Sequence, residues 1–263
     1  MNALGASFYD LLRSQYAYLG PQYPIDGAPS SLAGPSLAAS LPHGTTVLAL
    51  RYADGVVVAG DRRATEGYQI SGRRIEKVFK VDEWSAMAIS GAAGPCIEMA
   101  RLFQTELEHY EKIEGTTLSV DGKANKLAQM VKGNLPAAFQ GLVVIPLFVG
   151  FDHRKSVGRI FKYDVAGGRY EETDYHATGS GGKDARTTIK QYFKSGLNEQ
   201  DALGLALEAL FNAGEEDVAT GSPDPTRGIF PTVKLATAQG VSDVGSDRIE
   251  PVYAAFLEKR RER

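Results

Sequence analysis

The chain has 263 residues, 43% hydrophobic and 23% charged, and its net charge of −3 excludes a nucleic-acid binder that relies on basic charge. The single cysteine, Cys96, excludes an intrachain disulfide, and the four scattered histidines show no zinc-ligand spacing. No apolar run approaches the roughly 18 residues of a membrane-spanning helix, so we expect a cytoplasmic protein that needs no metal or cofactor and contacts neither nucleic acid nor membrane.

Residues 1–44 differ in composition from the rest of the chain. Positions 6–18 have the spacing of a short amphipathic helix, and residues 20–44 are rich in Pro, Gly, Ser and Ala. Asp10 and Arg13 interrupt the early apolar run, which argues against a secretory signal peptide. A segment of this composition buries little apolar area. Composition alone favours a disordered tail, and the alternative is a leader that is removed.

Regular secondary structure is predicted to begin at Thr45, where the sequence becomes β-branched and apolar. Strands 45–52 and 56–61 flank the Asp54-Gly55 turn. Helical periodicity then predicts helices at 92–113, 122–139, 182–195, 199–218 and 251–259. Alternating or continuous apolar runs predict the remaining strands at 68–70, 77–81, 84–90, 142–151, 158–163, 170–177, 232–238 and 241–244.

The order of these elements favours an α+β fold. Strands come first, followed by two helices, strands, two helices and strands, which is not the strict alternation of a parallel α/β protein. We therefore predict a four-layer αββα sandwich, in which two stacked antiparallel sheets are flanked by helix pairs. Sheets covered on both faces explain strands as uniformly apolar as VVVAG and LVVIPLFVG.

The Gly44-Thr45 pair stands where the leader meets the first strand. A threonine hydroxyl is a weak nucleophile, but a threonine at a chain terminus carries an α-amino group that can act as its base near neutral pH. Cleavage between Gly44 and Thr45 would create such a terminus, and Gly44 places little bulk before the bond. A bare GTT sequence is more often ordinary strand, so this hypothesis depends on the rest of the chain.

Several separated motifs occur in order along the chain: GTTVLALRYADGVVVAGDRRAT, GRRIEKVF, AISGAAGP, LEHYEKIEG, KGNLPAAFQGL, ATGSGG, EEDVATGSPD and RGIFPT. With them the sequence resembles proteasome β subunits, most closely the actinobacterial form, which are N-terminal-nucleophile hydrolases. The resemblance implies a propeptide at 1–44 and a catalytic domain at 45–263. It also implies threonine peptidase activity on unfolded or tagged proteins, and stacked seven-membered rings of like subunits with α subunits outside and a ring ATPase that feeds substrates.

The resemblance also assigns roles to charged residues. Asp61 lies sixteen positions after Thr45 and sixteen before Lys77. The family pattern pairs Asp61 with Lys77 beside Thr45, where the lysine charge would favour the deprotonated hydroxyl. Gly91 stands between a predicted strand and a predicted helix, and the resemblance implies that its N–H forms the oxyanion hole.

The remaining implied site residues form a supporting shell and a pocket. Ser180, Asp217 and Thr220 are expected to hydrogen-bond and orient the threonine, although many relatives carry serine at the position of Thr220. The pocket for the substrate side chain is expected to be lined by Ala64, Ile75, Ile89 and Ala93, with Thr65 bonding the peptide backbone. These residues are small or aliphatic, so we expect cleavage after apolar residues.

Two alternatives remain open at this point. An HslV-type ring peptidase shares the GTT start but is shorter and lacks so long a leader. A noncatalytic structural ring subunit would lack the exposed threonine, and the combination of Thr45, Asp61 and Lys77 argues against it.

Overall fold

The computed structural model describes residues 44–66 and 69–261. The predicted helix at 6–18, the leader up to residue 43 and Tyr68 of the predicted strand at 68–70 lie outside these ranges. In chain order the strands are Thr46–Tyr52 (β1), Gly55–Gly60 (β2), Ala64–Glu66 (β3), Gln69–Gly72 (β4), Val78–Lys80 (β5), Ser85–Gly91 (β6), Val144–Asp152 (β7), Val157–Tyr163 (β8), Arg169–Glu172 (β9), Tyr175–Gly179 (β10), Thr232–Thr237 (β11) and Gly240–Asp243 (β12).

Six α-helices accompany these strands in the described part of the chain. They are Ala93–Glu114 (α1), Val120–Gly133 (α2), Leu135–Ala138 (α3), Gly182–Tyr192 (α4), Glu199–Glu216 (α5) and Ser246–Arg261 (α6), with a short 3₁₀ helix at Pro225–Arg227. None of the helices within residues 44–66 and 69–261 is long and apolar enough to cross a membrane.

The strands form two five-stranded antiparallel sheets and one hairpin. The first sheet has the order β10-β1-β2-β11-β12, the second β5-β6-β7-β8-β9, and β3 pairs with β4. β1 is an interior strand of the first sheet, since Leu48 lies opposite Ala177 of β10 on one side and Ala59 of β2 on the other. Two neighbours hold β1, and therefore the residue directly before it, in a defined position.

Three separate hydrophobic clusters show the layers. Along β1, Val47 and Ala49 contribute to a cluster between the two sheets, whereas Leu48 and Leu50 contribute to a cluster beneath α4, α5 and α6. A third cluster packs α1 and α2 on the outer face of the second sheet. Because successive strand residues point to opposite faces, one uniformly apolar strand can fill two layers. The predicted α+β four-layer αββα sandwich is therefore confirmed.

Some predicted boundaries are wrong. Residues 170–177 were expected to form one strand, but the chain forms β9 in the second sheet and β10 in the first. The crossing occurs at Thr173 and Asp174, whose carbonyl groups accept hydrogen bonds from Arg51. No glycine or proline marks this change of sheet, so the sequence carries no local signal for it.

The predicted helix at 122–139 is divided. α2 ends at Gly133, Asn134 bonds back to Met130 and Val131, and α3 begins at Leu135 with Pro136 in its first turn. Proline lacks the N–H that a continuous helix would need. No strand was predicted at β3, and the strand predicted to end at residue 70 continues to Gly72 as β4.

Candidate active site

Thr45 lies directly before β1 and is buried, with 6% of its surface exposed. Its carbonyl oxygen accepts a hydrogen bond from the Ser180 N–H at 2.9 Å, which continues the pairing of β1 with β10. The Thr45 hydroxyl donates to the Gly44 carbonyl oxygen at 2.5 Å. The nucleophile candidate is thus held against the carbonyl group of the residue that precedes it.

Lys77 contacts the same carbonyl group. Its ammonium lies 3.0 Å from the Gly44 oxygen and 2.7 Å from Asp61 Oδ1, and both charged side chains are almost completely buried. Asp61 follows β2 and Lys77 precedes β5, so the pair joins the first sheet to the second. Sequence analysis predicted this pair beside Thr45, and the structure brings the three residues together.

The Asp61 carboxylate is fully supplied with donors. In addition to the Lys77 contact, Oδ1 accepts the Thr46 N–H at 2.8 Å. Its other oxygen, Oδ2, accepts the N–H groups of Arg63 at 2.8 Å and Gly221 at 2.9 Å. A buried carboxylate is tolerated only when it is paired and hydrogen-bonded. These donors therefore fix the carboxylate, and the carboxylate fixes the ammonium.

Burial lowers the pKa of Lys77 below its usual range, and the adjacent Asp61 carboxylate offsets part of that effect. Desolvation disfavours the charged ammonium, whereas a nearby negative charge favours it. The Lys77 ammonium consequently gives up a proton more readily than a surface lysine does. This property suits a group that contacts a reacting hydroxyl or carbonyl.

Ser180, Asp217 and Thr220 form the second group of predicted site residues. The hydroxyl groups of Ser180 and Thr220 each donate to Asp217 Oδ2 at 2.5 Å. The Thr45 N–H lies 3.4 Å from the Ser180 oxygen. Asp217 is positioned as the C-terminal cap of α5, and its Oδ1 accepts the Ala219 N–H at 3.0 Å. The structure therefore places Ser180 beside the backbone of Thr45, and Asp217 links Ser180 to Thr220.

Thr46 links the two groups, and the sequence analysis gave it no role. Its N–H donates to Asp61, and its hydroxyl oxygen lies 2.6 Å from that of Thr220. The same Thr46 hydroxyl oxygen accepts the Gly181 N–H at 3.0 Å. The alternation of side chains along a strand could have indicated this role, because the Thr46 side chain must point to the opposite face from that of Thr45. A completely buried threonine needs polar partners on that side.

An apolar cleft adjoins Thr45. Four of its lining residues are the predicted Ala64, Ile75, Ile89 and Ala93, and the predicted Thr65 lies in β3 but does not line it. Sequence analysis missed several other lining residues: Glu76, Cys96 and Ile97. Cys96 is buried, and burial raises the pKa of its thiol to about 12. The thiol therefore stays protonated at neutral pH and acts as an apolar wall.

Gly91 lies at the rim of this cleft, at the end of β6 and two residues before α1. Its φ angle is +127°, and a Cβ atom there would lie 2.0 Å from the Val143 carbonyl oxygen. Only glycine fits this conformation. The first turn of α1 contains no acidic residue, so the positive end of the helix dipole beside the cleft is not neutralised from within the helix.

No group of three or more His, Cys, Asp or Glu side chains within residues 44–66 and 69–261 is arranged to hold a metal ion. The polar side chains described above contact one another and the Gly44–Thr45 backbone instead. The chemistry this arrangement supports is therefore attack by a hydroxyl on a carbonyl group, with an ammonium and hydrogen-bond donors nearby.

Comparison with known proteins shows which family the chain belongs to. A sequence model of the family described as Proteasome subunit matches residues 41–224. A proteasome subunit beta from Acidimicrobium ferrooxidans is 57% identical over 228 residues, which cover 87% of this chain and 84% of that protein. One from Frankia casuarinae is 48% identical over 255 residues, covering 97% and 90%. One from Stackebrandtia nassauensis is 54% identical over 225 residues, covering 84% and 81%. The chain therefore belongs to the proteasome subunit family and is similar to its β subunits along most of its length.

Proposed function

We propose that the chain is a threonine endopeptidase subunit that is made as a precursor and activated by removal of residues 1–44. The observation that carries this proposal is the Gly44 carbonyl oxygen, which lies 2.5 Å from the Thr45 hydroxyl and 3.0 Å from the Lys77 ammonium. A hydroxyl group and a positive charge converge on the one peptide bond whose cleavage would create a terminal threonine.

Activation would proceed through an ester. The Thr45 hydroxyl oxygen attacks the Gly44 carbonyl carbon while its proton passes to the leaving amide nitrogen, and the Lys77 ammonium stabilises the negative charge that develops on the Gly44 oxygen. The Gly44–Thr45 C–N bond then breaks, so that an ester to the threonine oxygen replaces the amide. Water hydrolyses the ester, which releases a leader ending in Gly44 and leaves Thr45 with a free amine.

The freed amine supplies the base for substrate cleavage. It can accept the Thr45 hydroxyl proton near neutral pH. Ser180, which lies beside the Thr45 nitrogen and is held by Asp217, would orient it, and the Gly91 N–H in the cleft would donate to the substrate oxyanion. The acyl group is transferred to Thr45 and then to water. N-terminal sequencing of purified chain tests the proposal, since Thr45 is expected as the first residue.

Gly44→Ala is expected to slow removal of the leader by at least about tenfold, a change of about 1.4 kcal/mol in activation free energy. A Cβ atom at this position would lie 2.5 Å from the Ala219 carbonyl oxygen and 2.6 Å from Thr65 Oγ1, so the backbone must shift. Intact mass against time measures the effect. Gly133→Ala is the matched control, because its Cβ atom would meet nothing within 4 Å. Equal processing in both variants would contradict the proposal.

The cleft supports a preference for cleavage after apolar residues. Its predicted residues are aliphatic or small, while Lys77 is paired with Asp61 and Glu76 lies 4.0 Å from Arg62. We expect fluorogenic peptides ending in Leu or Tyr to be cleaved about tenfold or more faster than those ending in Arg or Glu, because an unpaired charge is costly in an apolar site. Faster cleavage after Arg or Glu would refute this assignment.

The proposed assembly follows the family. We infer seven-membered rings of this chain stacked between rings of α subunits in the cytoplasm, with a ring ATPase that delivers unfolded or tagged proteins. The 47–57% identity to proteasome β subunits over most of the chain favours this assembly over an HslV-type peptidase. The contact of Thr45 with Ser180 and that of the Gly44 carbonyl oxygen with Lys77 favour a catalytic subunit over a structural one.

A further inference from the structure

A second cleft lies next to the candidate active site and shares no lining residue with the apolar cleft. It is lined by three arginines, Arg62, Arg63 and Arg73. The rest of its wall comes from two loops. One contributes Gly221, Ser222 and Asp224, and the other contributes Ile229, Phe230 and Pro231. Phe230 and Pro231 are buried, so one side of the cleft is apolar.

The charge of this cleft is strongly positive. Asp224 is its one lining carboxylate among the described residues, and that carboxylate is already paired with Arg227, which lowers its pKa. Arg63 and Arg73 form no ion pair within the part of the chain that the structure describes, and Arg62 has only a distant one with Glu76, at 4.0 Å. Three guanidinium groups thus share a small space without an equal number of partner anions.

Several donors in this cleft are unused. Arg73 is exposed and hydrogen-bonds to no residue in 44–66 or 69–261. The Nε atom of Arg62 is buried and has no hydrogen-bond partner among the residues that the structure describes. The Ser222 hydroxyl likewise has no partner among the described residues. Unsatisfied buried donors are rare in folded proteins, and clustered guanidinium groups bind carboxylate and phosphate in a bidentate manner.

The same loops support the candidate active site. The N–H groups of Arg63 and Gly221, both lining this cleft, donate to Asp61 Oδ2. The Arg62 carbonyl oxygen accepts the N–H of Ile75, a residue that lines the apolar cleft. A ligand held by these arginines would therefore contact the segments that fix Asp61 on one side and the apolar cleft on the other.

We propose that the cleft formed by Arg62, Arg63 and Arg73 is a binding site for a small oxyanion, a single phosphate or carboxylate group. The guanidinium groups supply the charge and the hydrogen-bond donors, and the apolar wall of Phe230 and Pro231 strengthens the electrostatic attraction by excluding water. The site is distinct from the Thr45 cleft, and it does not depend on peptidase activity.

Isothermal titration of the full chain with inorganic phosphate at low ionic strength tests the site. We expect wild type to bind phosphate and Arg73→Gln to bind it about tenfold or more weakly, since hydrogen bonds to charged groups contribute about 1.5–3 kcal/mol. Arg73 is exposed and has no partner within residues 44–66 and 69–261, so its replacement should leave the fold intact. Arg101→Gln, an exposed residue of α1 outside the cleft, is the matched control and should bind as wild type does.

A competition arm distinguishes the sources of the anion. Displacement of phosphate by acetate would indicate a carboxylate ligand, such as an acidic peptide side chain or a chain terminus. Phosphate binding that resists acetate would indicate free phosphate. Absence of phosphate binding to wild type, or equal affinity in wild type and Arg73→Gln, would overturn the proposal. Because the readout is binding, either result stands independently of whether Thr45 is a nucleophile.

Discussion

Thr45→Ala is expected to abolish both leader removal and peptide hydrolysis, lowering the hydrolysis rate by about 10³-fold or more. The substitution removes the only side-chain hydroxyl that contacts the Gly44 carbonyl group in the described structure. It leaves the backbone contact with Ser180 in place, so the fold should persist. Intact mass reports the leader, and turnover of a fluorogenic peptide ending in Leu reports the peptidase.

Two further variants separate chemistry from folding. Thr45→Ser keeps a hydroxyl and, after cleavage, an amine, so it should process its leader and retain activity. Thr116→Ala removes an exposed threonine between α1 and α2 and should behave as wild type. A Thr45→Ala chain that loses its leader, or that hydrolyses peptide at an unchanged rate, would show that another residue is the nucleophile.

Lys77→Ala is expected to have the second largest effect, because it stops leader removal and hydrolysis and also destabilises the chain. The ammonium is the charge beside the Gly44 oxygen, and its loss leaves Asp61 buried without its partner. Removing one member of a buried ion pair costs about 3–5 kcal/mol of unfolding free energy. The three amide donors to Asp61 offset part of that cost.

Lys123→Ala is the matched control for this prediction. Lys123 is equally buried and is paired with Asp82 at 2.6 Å and Ser85 at 3.0 Å, on α2 and away from Thr45. Its replacement should lower stability by a comparable amount while leader removal and hydrolysis continue. Chemical denaturation gives the stability of each variant. If both variants lost processing to the same degree, the effect of Lys77→Ala would be one of folding and not of chemistry.

The sequence predicts the order of elements and most of the site. Thr45, Asp61 and Lys77 follow from motifs, and the aliphatic character of Ala64, Ile75, Ile89 and Ala93 predicts an apolar cleft that the structure contains. Thr46 was missed because a threonine in a β-branched strand is unremarkable by itself. Cys96 and Ile97 were missed because helical periodicity describes α1 as a core helix and does not show that its first turn faces a cleft.

By itself, the sequence determined the four layers, since period-2 and period-3.6 apolar patterns depend only on which neighbours along the chain share a face. Only the tertiary structure decided the contacts between distant groups that no motif predicts. The Lys77 ammonium reaches the Gly44 carbonyl oxygen across 33 positions, and the Thr46 hydroxyl meets that of Thr220 across 174. The division of 170–177 between two sheets and the convergence of Arg62, Arg63 and Arg73 were decided in the same way. Strand register and loop packing set these contacts, and the local pattern of apolar residues specifies neither of them.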